Sequence, residues 1–402
     1  MKEQMVRTLF VALALSAATS GWCQPVVFLD FVTHNEESPV WDGNLYYGNN
    51  RARLISLANY FQTQGITWNM QSDWRYLVNV IAKDTPGAAT NNKNILVWMQ
   101  DDRGVEMDPH AHESQYLYPD VVKLMDSIGL VQSKLMGGTI YNDSNGINIW
   151  TSLSNGQNGN IFPGYFWKPD YMMGGGTPNH VNDLKYYGIW NPQSPATYLT
   201  HDTAQRLRHL GVGCSIKIKD TSSVVNVVNA LKTLIANIQS GAYPGTGFYI
   251  QTIFFEQGDL NNPSFYNKVI AVADSANAIV STGKAQWKTL RQAYTIWETS
   301  YAKQPFQWSC GQTTAINTMG GVNTSLQLFP NPSSGRLTID IGGKPRERIL
   351  FSLCSLDGGR VISEQVVNAK TVLDIGSLSP GLYIYFLHEQ GQTVQSGKLV
   401  VK

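Results

Sequence analysis

The pattern of apolar and polar positions changes character along the chain. From Pro25 to about Tyr301, apolar extended runs alternate with helical periodicity, which predicts a β/α layered or barrel fold. Residues 26–33 read as a strand. In residues 49–64, Leu54, Leu57, Ala58 and Phe61 recur at i, i+3, i+4 and i+7 with Gly65 just beyond, so an amphipathic helix is expected. Residues 66–70 are extended, 74–82 and 94–100 look helical, and 105–107 form a short strand running into a polar turn. Pro119 opens a helix striped by Val121, Leu124, Met125 and Ile128, and Gly129 ends it. Residues 142–176, rich in Gly, Asn and aromatics, lack periodicity and predict a long loop or inserted lobe. The rhythm resumes with a strand at 215–219, a helix through Val224, Val228, Leu231 and Ile235, a strand at 247–255, and helices at 265–280 and 287–298.

The texture then shifts. Residues 305–325 read as a linker, and from residue 326 no helix signal remains. Alternating positions such as Leu337, Ile339, Ile341 and Leu382, Ile384, Phe386, broken by Asp357-Gly358-Gly359 and Ser379-Pro380-Gly381, predict a small all-β, Ig-like sandwich. At the other end, Lys2 and Arg7 precede an apolar run over residues 8–18, so residues 1–23 read as a signal peptide. Cleavage after Ser20 and after Cys23 both fit. No run reaches the roughly 20 residues of a spanning helix, and no transmembrane anchor is expected.

Thirty basic residues balance 29 acidic ones, which removes the electrostatic reason to expect a nucleic acid partner. Eleven Trp, 19 Tyr and 14 Phe offer flat faces that suit sugar rings and equally fill cores. Cys214 and Cys310 have no metal-ligand spacing; an exported chain permits a disulfide between them, and separate buried thiols fit as well.

The sharpest polar cluster is Asp108-Pro109-His110-Ala111-His112-Glu113, at the end of a predicted strand, where barrel folds place their chemistry. His110 and His112 point the same way if the segment stays extended, a good arrangement for a metal. On the first strand Asp30, Val32 and His34 share a face that Glu36 continues. His34, His110 and His112 are therefore candidate ligands, zinc being the first cation to consider, and Asp30 or Glu36 a candidate base. His201 or His180 is a candidate acid. Tyr165 and Trp167 in the long loop, with Phe162 and Phe166, could stack on a sugar, as could Trp190.

Two resemblances follow from these residues. Leu328-Phe329-Pro330-Asn331-Pro332, Gly335-Arg336-Leu337, Leu378-Ser379-Pro380-Gly381-Leu382-Tyr383 and the closing residues 397–402 resemble the type A sorting domain of Bacteroidetes type IX secretion cargo. That resemblance implies export to the surface or beyond and recognition by the secretion machinery. Over residues 25–304, Val32-Thr33-His34-Asn35-Glu36-Glu37, residues 104–112 and Gly188-Ile189-Trp190-Asn191-Pro192 resemble the polysaccharide deacetylase (NodB-like) superfamily, with Ser114 standing where that family has its second histidine. It implies a distorted (β/α)7 barrel and metal-dependent removal of acetyl groups from a glycan. Two other readings stay open. One is a glycoside hydrolase drawing a carboxylate pair from Asp30, Glu36, Asp108, Glu113 and Glu256. The other is a barrel that only binds glycans.

Overall fold

A computed structural model describes residues 26–138, 149–173, 185–214, 216–310, 327–341, 349–355, 360–366, 368–389 and 392–402. The expected signal peptide, His180 and the linker from residue 311 lie outside the described residues. The chain divides into two compact units, one running from Val26 to Thr314 apart from a short excursion at Pro244–Thr246, the other containing the tail.

The larger unit begins with repeated β/α steps: β1 (Val27–His34), α1 (Asn44–Gln64), β2 (Trp68–Ser72), α2 (Trp74–Lys83), α3 (Ile95–Arg103), β3 (Glu106–Pro109), α4 (Tyr118–Ile128) and β4 (Leu135–Gly137). Within the predicted long loop lie α5 (Trp150–Asn155), β5 (Gln157–Asn158), β6 (Phe166–Trp167) and β7 (Tyr171–Met173). Then come β8 (Tyr186–Trp190), β9 (Arg208–Val212), β10 (Ile216–Lys217), α6 (Val224–Gln239), β11 (Tyr249–Glu256), α7 (Pro263–Val280), β12 (Ala285–Trp287), α8 (Leu290–Ser300) and β13 (Trp308–Ser309).

Strands β10, β11, β1, β2 and β3 form a parallel sheet in that order, with β12 sharing the β2 edge of β1. Leu29, Phe31, Trp68, Met70, Met107, Ile253 and Phe255 face one way and pack with Leu54, Leu57, Phe61, Val269 and Val272 of the helices. The opposite face carries Phe28, Val32 and Ile250, which join Leu135, Tyr171, Ile189, Leu210, Val212 and the buried side of α8 in a second core. A strand alternates its side chains, so both sets follow from β1 being apolar on two faces, as a parallel strand covered on both sides must be.

The expected distorted (β/α)7 barrel is not one closed ring. Strands β13, β8, β9, β7 and β4 make a separate mixed sheet, antiparallel across β13–β8–β9 and parallel across β9–β7–β4. One parallel bridge, His110 with Gly137, links the two sheets on the β3 side. On the other side β8 and β9 pack near β11, and the adjoining β10, two residues long, is too short to carry a ladder onward. The segment expected to open the linker also belongs here: Phe306 N donates to Ile189 O (3.0 Å), Trp308 pairs with Tyr187, and Cys310 is disulfide-bonded to Cys214.

The tail unit has a three-stranded antiparallel sheet, β14 (Gln327–Phe329), β15 (Arg336–Asp340) and β18 (Lys370–Asp374), and a four-stranded one, β17 (Arg360–Val366), β16 (Ile349–Ser355), β19 (Gly381–Glu389) and β20 (Gln392–Val401). Leu337, Ile339 and Leu373 of the first meet Ile349, Phe351, Leu353, Leu387 and Leu399 of the second in one core, a two-layer sandwich.

Candidate metal centre

The C-terminal ends of β1, β2, β3 and β11 converge, and a buried amide network fixes them. Asn35 Oδ1 accepts from Asp73 N (2.8 Å), Asn35 Nδ2 donates to Gln257 Oε1 (2.8 Å), and Gln257 Nε2 donates to Asn50 Oδ1 (2.8 Å). All four residues are buried. Asp73 also caps α2, its carboxylate accepting from Arg75 N at 2.9 Å. The two residues flanking Asn35, His34 and Glu36, are thereby held at a fixed strand end.

Above this network sits the histidine cluster. Glu36 Oε1 lies 3.0 Å from His34 Nδ1 and 3.8 Å from His110 Nε2, while Glu36 Oε2 lies 2.9 Å from His112 Nε2. His110 Nε2 and His112 Nε2 are 3.1 Å apart. The His34 ring stacks on His110 and on Phe254, each at 4.3 Å between centroids. Glu256 reaches in from β11: its Oε2 is 3.5 Å from His34 Nδ1, and its Oε1 accepts from Lys217 Nζ at 2.6 Å. Burial opposes charge on Glu36, yet hydrogen bonds to His112 and His34, with the nearby His110, outweigh it and hold the carboxyl well below the usual range. Burial works against the charged form of His112, and its bond to Glu36 pulls the other way and raises its pKa overall.

Donor atoms of His34, Glu36 and His110 all lie within 4.8 Å of one another. Tetrahedral ligands with bonds of about 2.0–2.1 Å stand roughly 3.3 Å apart, so the 3.0 and 3.8 Å separations of Glu36 Oε1 from His34 Nδ1 and His110 Nε2 bracket what zinc requires. Two imidazoles and a carboxylate suit zinc by type as well as spacing. Of the set expected from the sequence, His34 and His110 are brought together with Glu36, while His112 lies beside this group, bonded to Glu36 Oε2. Gly138 abuts the His110 ring. Gly138 has φ +76°, and a Cβ there would fall 2.6 Å from His110 Nε2, so the ring's position depends on a glycine.

Other expected residues go elsewhere. Asp30 is fully buried four residues down β1, roughly 13 Å from His34 along the strand. Its Oδ2 accepts from Leu290 N (3.1 Å). Burial, then the charge of Glu106 and Asp108, raises its pKa, which marks a buried carboxyl group and not a base in the histidine cluster. His201 pairs with Pro192, and its Nδ1 accepts from Asn191 N (3.1 Å), placing it at the end of β8. Trp190 is fully buried and donates to Tyr198 O (2.9 Å), so it is core and offers no face to a substrate. Trp167 is buried against Tyr118 under Lys134, and the Tyr165 hydroxyl bonds to Asp126 of α4, because Asp120 draws the 160–162 backbone onto that helix. Glu113 is used locally, accepting from Tyr118 N and Gln157 Nε2 (each 2.9 Å).

Sequence reasoning missed Trp74 and Tyr116. They stack in parallel (4.6 Å, 11°), Trp74 at the start of α2 and Tyr116 in the loop between β3 and α4. Trp74 lies shortly past the strand expected at 66–70, whereas Tyr116, well past the one expected at 105–107, carried no signal of its own.

No curated protein matches the chain. Among the described residues no helix is long and apolar enough to cross a membrane. Residues 327–402 match the family model for a secretion system C-terminal sorting domain, so this chain carries a type IX sorting tail and is cargo for secretion or display at the cell surface.

Proposed function

We propose that the larger unit is a metal-dependent hydrolase of exported glycans, most simply a deacetylase of the NodB-like kind on an opened version of that barrel. The observation that carries this reading is the convergence of His34, Glu36 and His110 within 4.8 Å at the strand ends. Zinc bound by such a set supplies a Lewis acid that polarises a substrate carbonyl and acidifies a water.

The chain's own residues then divide the work. His34, His110 and Glu36 hold the cation, with His112 bonded to Glu36 Oε2 at its rim. Glu256, half-buried beside His34, is the carboxylate placed to take a proton from water, and Lys217 fixes its other oxygen. His112, partly exposed and bonded to Glu36, is the group that would carry a proton to a leaving amine.

Elemental analysis of the purified protein tests this. We expect about one equivalent of zinc in the wild type and its loss in the His110→Ala, His112→Ala double variant. Wild-type protein that takes up no metal in excess zinc ends the reading. A second reading would then stand, a glycosidase using Glu36 and Glu256, which approach His34 Nδ1 from two strands.

A further inference from the structure

Of the aromatic residues expected to face sugar, Trp167 and Trp190 are committed to the interior and Tyr165 to α4, while Phe166 is exposed on β6; a different aromatic pair stands on the segments that carry the histidine cluster. Trp74 opens α2 directly after Asp73, and the strand before it ends at Ser72, whose carbonyl accepts from His110 N at 2.9 Å. Tyr116 lies four residues after His112, and between them the Ser114 hydroxyl bonds to Glu37, the neighbour of Glu36. Both elements of the pair are therefore tied to the segments that carry the candidate ligands. Their rings stack nearly parallel at 4.6 Å, and each is only half-buried, so part of the joint surface meets solvent.

Inward both rings pack against the hydrophobic core, and at their outer side stands a fixed polar pair. The Arg75 guanidinium sits 5.9 Å from the Trp74 ring centre and is paired with Asp42, and Glu37 is bonded to Ser114. A half-exposed aromatic pair with the Arg75–Asp42 ion pair beside it matches the chemistry of a neutral pyranose, whose C–H face seeks an aromatic ring while its hydroxyls seek charged hydrogen-bonding groups at the edge.

We propose that Trp74 and Tyr116 form a stacking subsite for a neutral sugar ring next to the histidine cluster. The proposal rests on the hydrolase reading for its context, but binding at the subsite does not require a metal. The two therefore fail separately.

The test is isothermal titration of the full chain, stripped of metal by chelation, with a neutral chito-oligosaccharide and with cello-oligosaccharide of the same length. Wild type, Trp74→Ala, Tyr116→Ala and the conservative Tyr116→Phe are compared, with circular dichroism to establish that each is folded. We expect saturable binding of at least one oligosaccharide, weakened about tenfold or more by either alanine substitution and kept by Tyr116→Phe. Should an alanine variant not fold, Trp74→Phe takes its place, with a smaller loss expected. Wild-type binding that folded variants retain in full overturns the assignment, as does a wild type that binds neither sugar. Zinc content in the same samples reports on the hydrolase reading independently.

Discussion

His110 Nε2 and His112 Nε2 stand 3.1 Å apart, each ring aimed at the other's nitrogen and both within reach of Glu36. Two nitrogens at that distance cannot both carry a proton along the line between them. They either share one proton, or His112 turns its proton to Glu36 while the His110 lone pair faces a cation, and Glu36 supplies negative charge in either state. Glu36 is therefore the residue on which the cluster depends.

Glu36→Gln preserves shape and removes the charge. We expect zinc affinity to fall by roughly 100-fold or more, since a directly placed carboxylate should matter at least as much as an outer-shell group, for which 10–100-fold is usual. Competition against a chromophoric chelator measures it. Unchanged affinity would mean that Glu36 does not touch the metal.

Gly138 makes a sharper test of geometry, because it bonds to nothing in the cluster. A methyl group there would overlap the His110 ring at 2.6 Å and would also sit on a backbone with φ +76°. Gly138→Ala should lower zinc affinity at least about tenfold and cost about 1–3 kcal/mol of stability. If urea unfolding shows that cost while zinc titration is unaffected, His110 is not a ligand.

The legibility of this molecule was uneven, for physical reasons. Helix α4 appears where its stripe and terminal glycine place it, and α1 ends at Gly65 as its stripe predicts but begins earlier, at Asn44. The histidine cluster was legible too, because strand parity alone puts His34 on the inner face and a strand end puts His110 beside it. The second sheet was not, since β4, β7 and β13 span only two or three residues and leave no alternation to read. Trp190 misled because a sequence shows an aromatic residue but not which side of the sheet it faces. Asp30 misled differently: it is on the inner face as expected, but in a layer with Glu106 and Asp108, below the cluster.

That lower layer predicts a pH dependence. Asn69 Nδ2 donates to Glu106 Oε1 (2.8 Å) and to Asp108 Oδ2 (2.7 Å), and Ser133 donates to Asp108 through its N and Oγ. Burial raises both carboxyl groups; repulsion from Asp108 raises Glu106 further, and hydrogen bonds from Ser133 and Asn69 partly offset the rise at Asp108. Groups with raised folded-state pKa values bind more protons when folded, so their stabilising contribution is complete below about pH 4 and is lost as pH climbs through the raised values. Between pH 5 and 9 the wild-type melting temperature should therefore fall relative to Glu106→Gln, by roughly 3–6 °C. Parallel melting curves at every pH would show that the pair titrates normally.

The disulfide gives the last prediction. Cys214 and Cys310 are 96 residues apart, and their bond fastens the segment after α8 to the turn between β9 and β10. Around it, Cys310 N donates to Lys185 O (2.7 Å), Gln251 Nε2 donates to Cys214 O (2.9 Å), and the Tyr243 hydroxyl bonds to Cys310 O. The bridge thus closes the larger unit shortly before the tail begins. A loop of this length raises the free energy of the unfolded chain, so Cys214→Ser with Cys310→Ser should cost about 2–5 kcal/mol. The native hydrogen bonds at both ends should keep the fold itself intact. Urea unfolding of wild type, wild type under reductant and the double serine variant reads this directly. Agreement between the reduced wild type and the variant assigns the loss to the cross-link, whereas a variant as stable as the oxidised wild type would show that the hydrogen bonds alone hold the segment in place.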